Sequence, residues 1–151
     1  MDEQLEARVR RLEDLAAINQ IFIDYIDALD WGKGAQYGAQ FAEDGEILLG
    51  PLRAKGPAEI EKLLDQILNG REKVGEAFHI VSSPMIELDG DTAKASVMWT
   101  VIAKDANGQP TVTLLGRHVD DLVREKGEWK IKKRRGKLDI PSAIGSIRPS
   151  S

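Results

Sequence analysis

Cysteine is missing from the sequence, and only two of the 151 residues are histidine, His79 and His118. Without cysteine, disulfides and thiolate chemistry are excluded, and the chain fits a reducing compartment. No apolar run approaches the roughly 18 residues that a membrane-spanning helix needs. The start of the chain, Met1 to Gln4, is acidic and polar and does not resemble a secretory signal. We therefore expect a cytoplasmic protein without a membrane partner.

An excess of positive charge is also missing. Lysine and arginine number 21 against 25 aspartates and glutamates, which gives a net charge of −4. Because phosphate binding needs a basic surface, we expect no nucleic-acid partner. The chain is 42% apolar and 30% charged, as in soluble globular proteins, and its length fits one domain.

The sequence further lacks the motifs of several kinds of reactive site. It has no Cys/His ligand set and no His-x-x-x-His spacing for a metal. No glycine-rich phosphate loop opens a helix after a strand, and no Gly-x-Ser-x-Gly nucleophile turn occurs. Any chemistry is therefore expected to be acid–base catalysis without a cofactor or a metal.

The first half of the chain has the apolar spacing of helices. A stripe at steps of three and four predicts a long helix over about residues 3–30. A short helix is predicted over 35–42, a short strand over 46–49, and a third helix from Pro57 to a stop at Asn69-Gly70. The long stripe consists of Leu5, Val9, Leu12, Leu15, Ile18, Phe22, Ile26 and Leu29.

The second half has the texture of strands. Tight-turn signals such as Asp89-Gly90 separate predicted strands over residues 79–88, 93–103, 111–124 and 129–138. Successive hairpins make an antiparallel meander, so helices followed by strands predict an α+β fold with the helices on one sheet face. We expect one domain over residues 1–139 and a flexible tail over 140–151.

Two residues stand out as candidates for chemistry. Asp30 lies at the predicted end of the first helix, where the helix dipole disfavours a carboxylate. Solvent exposure or a cap on the following turn is the simpler explanation, and a functional role is the alternative. His79 opens a strand, and a lone strand histidine is more often structural. Paired with a carboxylate, however, a histidine becomes an oriented general base near neutral pH.

Three further residues lie on strands that can face a pocket. His118 shares a strand face with Gly116 and Asp120, and that face can look either into a wet pocket or into solvent. Strict alternation places Arg135 on the inner side of the last strand with Ile131. There Arg135 would meet an anionic substrate or a buried acid, although a charged edge strand is the usual explanation for such a basic run. Trp99, in the preceding long strand, is the remaining candidate for the pocket.

An ordered set of short motifs resembles the SnoaL-like proteins of the NTF2-like superfamily. The similarity spans about residues 8–139. It implies a cone in which three N-terminal helices close the concave side of a strongly curved antiparallel sheet around one pocket. The motifs are residues 11–18, 41–46, 79–84, 88–91, 116–118 and 127–131.

The resemblance also implies site residues and a reaction. One branch of the superfamily contains scytalone dehydratase, the bile-acid dehydratase and the lindane dehydrochlorinase. This branch uses an Asp at the end of helix one and a His opening a long strand, which Asp30 and His79 match, and Tyr25 matches a tyrosine of the bile-acid dehydratase. The implied function is a cofactor-independent lyase or dehydratase acting on a small apolar cyclic molecule. The resemblance assigns no role to His118, Trp99 and Arg135, which remain our own candidates for contact with the substrate. A ketosteroid-isomerase-like proton transfer and a non-catalytic ligand-binding protein are the alternatives. Relatives form dimers or trimers, so a homo-oligomer is expected.

Overall fold

The computed structural model describes residues 2–69 and 77–141. Within these ranges the chain forms three helices and seven strands, and none of the helices has the length and apolar character to cross a membrane. In chain order the elements are α1 (Glu3–Asp30), α2 (Gly34–Gly38), β1 (Phe41–Leu49), β2 (Leu52–Lys55), α3 (Pro57–Asn69), β3 (Ala77–Val81), β4 (Met85–Asp89), β5 (Thr92–Lys104), β6 (Pro110–Glu125) and β7 (Glu128–Pro141).

The seven strands form one open sheet in the order β2-β1-β7-β6-β5-β3, with β4 also paired to β5. Irregular register in the β5–β6 and β6–β7 pairs marks bulges, which bend strands and so curve the sheet. The expected α+β fold with a curved sheet is confirmed, but the sheet is mixed, because β1 and β7 run parallel. A hairpin forces its strands to be antiparallel. β1 and β7 are instead separated by α3 and five strands, so no turn constrains their direction.

The core lies between α1 and the inner face of the sheet. From Asp14 onward, one face of α1 is buried, with Ile18 and Phe22 packed into a cluster that includes Leu122 and Ile131 from the sheet. The N-terminal part of the predicted stripe is not buried: Leu5, Val9 and Leu12 are exposed. The C-terminal half of α1 is therefore the part that is fixed against the sheet, and it carries the candidate site.

Several helix and strand boundaries in the structure differ from those predicted from the sequence. Helix α2 ends at Gly38, and Phe41 begins β1 instead of closing that helix. Strand β2 was not predicted. The strand expected over residues 79–88 is two strands, because Pro84 lies in the break and cannot donate a ladder hydrogen bond. β7 continues through Pro141, two residues into the expected tail. The helix stop at Gly70 and residues 142–151 lie outside the described residues.

A bulge in β7 decides which side chains of the basic run face inward. Ile131 pairs with Leu122 and Lys133 with Asp121, so Lys132 is an extra residue with no partner on β6. The alternation therefore changes phase after Ile131. Arg134 becomes the buried residue, and the prediction that Arg135 lies on the inner face is wrong.

Candidate active site

A cavity of about 100 Å³ lies between the C-terminal half of α1 and the inner sheet face. Its wall is mainly aliphatic, from Leu29 on α1, Leu64 and Ile67 on α3, and leucines and a valine of the sheet. Of the five predicted site residues other than Asp30, the cavity brings together Tyr25, His79, Trp99 and His118, whereas Arg135 is not in its wall. The lining residues are Tyr25, Leu29, Tyr37, Leu49, Leu64, Ile67, His79, Trp99, Val101, Leu114 and His118.

Asp30 and His79 form a close pair. His79 Nδ1 lies 2.7 Å from Asp30 Oδ1. The backbone N–H of His79 donates to the same carboxylate, at 3.0 Å from Oδ1 and 3.3 Å from Oδ2. The Asp30 and His79 side chains are 7% and 8% exposed. Solvent exposure therefore does not explain the acid at the end of α1. The carboxylate is buried there because β3 supplies hydrogen-bond donors.

This geometry orients the imidazole for proton transfer. Because a carboxylate only accepts hydrogen bonds, Asp30 selects the tautomer with the proton on Nδ1 of His79. Nε2 is then the basic nitrogen, and His79 lies in the cavity wall. When Nε2 takes a proton, the charge of Asp30 stabilises the imidazolium that results. The same pair thus fixes the direction of the ring, with Nε2 as the nitrogen that can accept a proton.

Tyr25 and His118 form a second buried pair beside the first. Tyr25 Oη lies 3.0 Å from His118 Nε2, and the two rings meet edge to face with centroids 5.3 Å apart. The Tyr25 ring is also edge-on to His79, at 6.4 Å between centroids. Burial, and then the charges of Arg134 and His79, hold the pKa of His118 well below its ordinary value. His118 is therefore neutral near pH 7.

Two buried polar atoms at the cavity wall have no hydrogen-bond partner among the residues that the structure describes: Trp99 Nε1 and His118 Nδ1. The two side chains are neighbours, with ring centroids 5.9 Å apart. An orphaned N–H is rare in a folded protein. The Trp99 indole is thus a donor next to the cavity whose acceptor does not come from the described part of the chain.

Comparison with known proteins identifies the family. A SnoaL-like domain model matches residues 10–135, which is most of the chain. The chain belongs to the SnoaL-like family. The resemblance expected from the short motifs is therefore confirmed. A search of curated protein sequences found no match.

Solved structures similar to this SnoaL-like chain share its fold. An NTF2-like protein with a cystatin-like fold from Novosphingobium aromaticivorans is 26% identical, with a TM-score of 0.83 over 95% of this chain and 94% of that one. A provisionally assigned scytalone dehydratase from the same species is 25% identical, with a TM-score of 0.74 over 91% of each chain. The hexachlorocyclohexane dehydrochlorinase LinA-type3 from Novosphingobium barchaimii is 18% identical, with a TM-score of 0.77 over 94% and 99%.

Sequence reasoning missed two polar residues: Arg134 beneath the site and Tyr37 in the cavity wall. Arg134 is fully buried and holds Asp120 through Nε, 2.9 Å from Oδ1, and through Nη2, 2.6 Å from Oδ2. Its Nη1 donates to Tyr37 Oη at 3.2 Å, and its guanidinium lies 4.8 Å from the centre of the Tyr25 ring. The inward-facing Asp120 on β6 was the available signal, since a buried acid on one strand calls for a cation on the next.

Arg135, in contrast, points away from the cavity. It pairs with Asp121 at 3.1 Å, and the two side chains are 47% and 35% exposed. No group of three or more His, Cys, Asp or Glu residues within the described ranges is arranged to hold a metal ion. The groups in the wall of this SnoaL-like cavity that can exchange protons are thus Tyr25, Tyr37, His79 and His118, with Asp30 behind His79.

Proposed function

We propose that this SnoaL-like chain is a cofactor-independent lyase that removes water, or another leaving group, from a small ring compound. The observation that carries the proposal is the 2.7 Å contact between Asp30 and His79 in the wall of an apolar cavity. A pair of titratable groups held in this way is what carbon–hydrogen bond cleavage requires. The name of the 25% identical relative, a dehydratase, supports the same kind of reaction.

The reaction proceeds by elimination across two carbons. His79 Nε2 accepts a proton from the carbon next to a carbonyl, and Asp30 stabilises the imidazolium. The electron pair of the broken C–H bond forms the new C=C bond, and the C–O bond at the neighbouring carbon breaks. Tyr25 donates a hydrogen bond to the oxygen on which charge develops. The departing hydroxide takes up the proton that His79 Nε2 removed from carbon and leaves as water, which returns His79 to its neutral form.

The cavity suggests the class of substrate. Its volume of about 100 Å³ and its aliphatic wall favour one small, largely apolar ring. For comparison, an engineered apolar cavity of about 150 Å³ holds benzene. The polar side chains Tyr25 and Trp99 would contact the oxygen atoms of such a ring, and the Trp99 indole in particular has a donor to offer.

A suitable test substrate is 3-hydroxycyclohexanone, observed by proton NMR in D₂O. The proposal predicts cyclohex-2-enone as the product. Replacing the base, His79→Gln, is expected to lower the rate by roughly 10²–10⁴-fold, the usual contribution of a general base. Circular dichroism checks that the variant keeps its fold.

The same spectra distinguish the alternatives. Deuterium exchange next to the carbonyl without loss of water would favour an isomerase-like proton transfer. Binding of the ketone, detected as shifts of the His79 signals, with neither exchange nor elimination would favour a binding protein. Either result, or equal elimination by the wild type and the His79→Gln variant, would contradict the lyase.

A further inference from the structure

The contact between Tyr25 and His118 allows two arrangements of hydrogen. Either the phenol donates to His118 Nε2 and the ring proton lies on Nδ1, or Nε2–H donates to the phenol oxygen. In the first arrangement, the hydroxyl proton of Tyr25 is donated to His118 Nε2. In the second, His118 is the donor, and Tyr25 can donate its own proton to another acceptor.

The surroundings of His118 Nδ1 favour the second arrangement. Nδ1 is buried and has no hydrogen-bond partner within the described residues, so a proton on it would be an orphaned donor. A Cβ built on Gly136 would lie 3.1 Å from Nδ1 and 3.2 Å from Cε1. This edge of the ring therefore faces the Cα of Gly136, which offers no acceptor to a proton on Nδ1. An unprotonated Nδ1 fits this environment.

The charges around His118 keep the ring neutral. Arg134 on β7 and His79 on β3 face it, and on its own strand Asp120 is engaged by Arg134. Burial acts in the same direction as the two basic groups, so the pKa of His118 is lowered. A neutral imidazole carries a single N–H proton. Because Nδ1 is buried without an acceptor among the described residues, we place that proton on Nε2.

We propose that His118 is a positioning residue that donates Nε2–H to the Tyr25 oxygen, so that Tyr25 donates its own proton to an oxygen of the substrate. A hydrogen bond received by the phenol oxygen stabilises the negative charge that grows on it as Tyr25 donates. The inference rests on the proposed function. It narrows the substrate class to rings that carry a carbonyl or hydroxyl oxygen within reach of Tyr25.

The tautomer can be read directly by ¹⁵N NMR on the unmodified protein. The chain has two histidines, so a long-range ¹H–¹⁵N spectrum contains two sets of ring signals, and the His118→Gln variant assigns them. The proposal predicts that His118 stays neutral, with the proton on Nε2, as the pH falls through the ordinary histidine value of about 6.5. A proton on Nδ1, or titration near the ordinary histidine pKa, would overturn it.

The role of Tyr25 can be measured with a pair of matched probes. Cyclohexanone has a carbonyl oxygen, and methylenecyclohexane has a CH₂ group in its place. The preference of each protein is the dissociation constant of methylenecyclohexane divided by that of cyclohexanone. We expect this ratio to be about two- to tenfold higher in the wild type than in Tyr25→Phe, which is the usual effect of one hydrogen bond. His118→Gln retains an N–H donor and should preserve the preference for the ketone. His118→Leu has no such donor and should lose most of that preference.

The outcomes separate this inference from the proposed function. An unchanged preference in His118→Leu would show that His118 does not direct Tyr25, while the Asp30–His79 pair could still catalyse elimination. If instead the predicted tautomer and the ketone preference are both observed but no turnover follows, the lyase proposal fails and the orientation of Tyr25 stands. Should the leucine variant not fold, the wild-type tautomer decides alone.

Discussion

At the scale of single residues, Arg134 and Asp120 form an ion pair that is entirely shielded from solvent. Both side chains are fully buried and joined by three contacts of 2.6 to 3.2 Å. Burial by itself lowers the pKa of Arg134, but the charge of Asp120 and its hydrogen bonds more than offset this, so the pKa is raised and the guanidinium stays charged. The charged guanidinium of Arg134 therefore lies against the Tyr25 ring, with the Asp120 carboxylate on it as counter-charge.

Removing one member of this pair should be costly. Arg134→Met leaves Asp120 buried without its cation, so we expect unfolding by urea to show a loss of about 3–5 kcal/mol. The neighbouring Arg135 provides the control, because its pair with Asp121 is exposed and Arg135→Met should cost less than about 1 kcal/mol. Equal losses in the two variants would contradict the buried network.

His118 should make stability depend on pH. Its pKa is lowered in the folded protein, whereas in the unfolded chain it has its ordinary value of about 6.5. Below that pH the unfolded chain binds a proton that the folded one does not, so acid favours unfolding. From pH 6.5 downward, the wild type should lose up to about 1.4 kcal/mol per pH unit more than His118→Gln does. Parallel curves for the two proteins would contradict a neutral buried His118.

The sequence pointed to some of these residues and not to others, for a physical reason. Asp30 attracted notice because it opposes the helix dipole, and His79 because it was predicted to open a strand beside apolar neighbours. That prediction is wrong in its detail, because β3 begins at Ala77 and His79 is its third residue. Arg134 and Arg135 are adjacent, and which one faces inward depends on the bulge at Lys132. Alternation along a strand cannot indicate a bulge at Lys132 when the residues that follow it, Lys133 to Arg135, are all basic.

Two glycines on neighbouring strands fix the wall of the cavity. A Cβ on Gly116 would lie 2.2 Å from Cζ2 of Trp99 and 2.3 Å from the carbonyl oxygen of Lys137. At Gly136 the closest atom is a methyl carbon of Leu49, at 2.5 Å. A leucine methyl can move aside more easily than a backbone carbonyl or an indole ring.

Alanine at these two positions should therefore have unequal effects. Gly116→Ala is expected to lower the free energy of unfolding by about 1–3 kcal/mol, the usual cost of overpacking, and to displace Trp99. Gly136→Ala, the matched control, should cost less. Thermal unfolding gives the comparison, and the indole N–H signal of Trp99, one of three such signals in a ¹H–¹⁵N spectrum, reports the displacement. A larger loss at Gly136 would mean that the packing around Trp99 is looser than described.

Local pattern was sufficient for the long elements. The predicted helix over 3–30 and α1 agree, and the spacing of strands β5 and β6 follows from the turns around them. The parallel contact of β1 with β7 could not be predicted, because it depends on tertiary packing and not on a turn. The pairing of Asp30 with His79 is likewise a contact across 49 residues, which short-range pattern does not contain.

At the scale of the whole molecule, the outer face of the sheet is a candidate contact surface between copies of the chain. Cross-strand pairs place a set of apolar side chains on the face opposite His79, and several are more than 40% exposed. Large exposed apolar patches are uncommon on monomers. The outer apolar face consists of Phe78, Ile80, Ile102, Val112, Leu115 and Ile140.

We propose that a second copy of the chain covers this outer apolar face. Ile80→Lys places a charge in it and should shift sedimentation velocity toward the monomer. Ile23 on α1 is the control, since it is 54% exposed against 55% for Ile80 and lies outside the face. A monomeric wild type, or equal dissociation by Ile80→Lys and Ile23→Lys, would contradict the proposal.

The measurement closest to the centre of this account is deuterium exchange next to the carbonyl of cyclohexanone in Asp30→Asn, His79→Gln and the double variant. If Asp30 acts through His79, the double variant should be no slower than His79→Gln alone, because residues that act as a unit are not additive. Asp27→Asn, an exposed acid on the same helix that pairs with Lys33, should match the wild type. Exchange by the wild type no faster than by His79→Gln, or losses that multiply in the double variant, would contradict a catalytic Asp30–His79 pair.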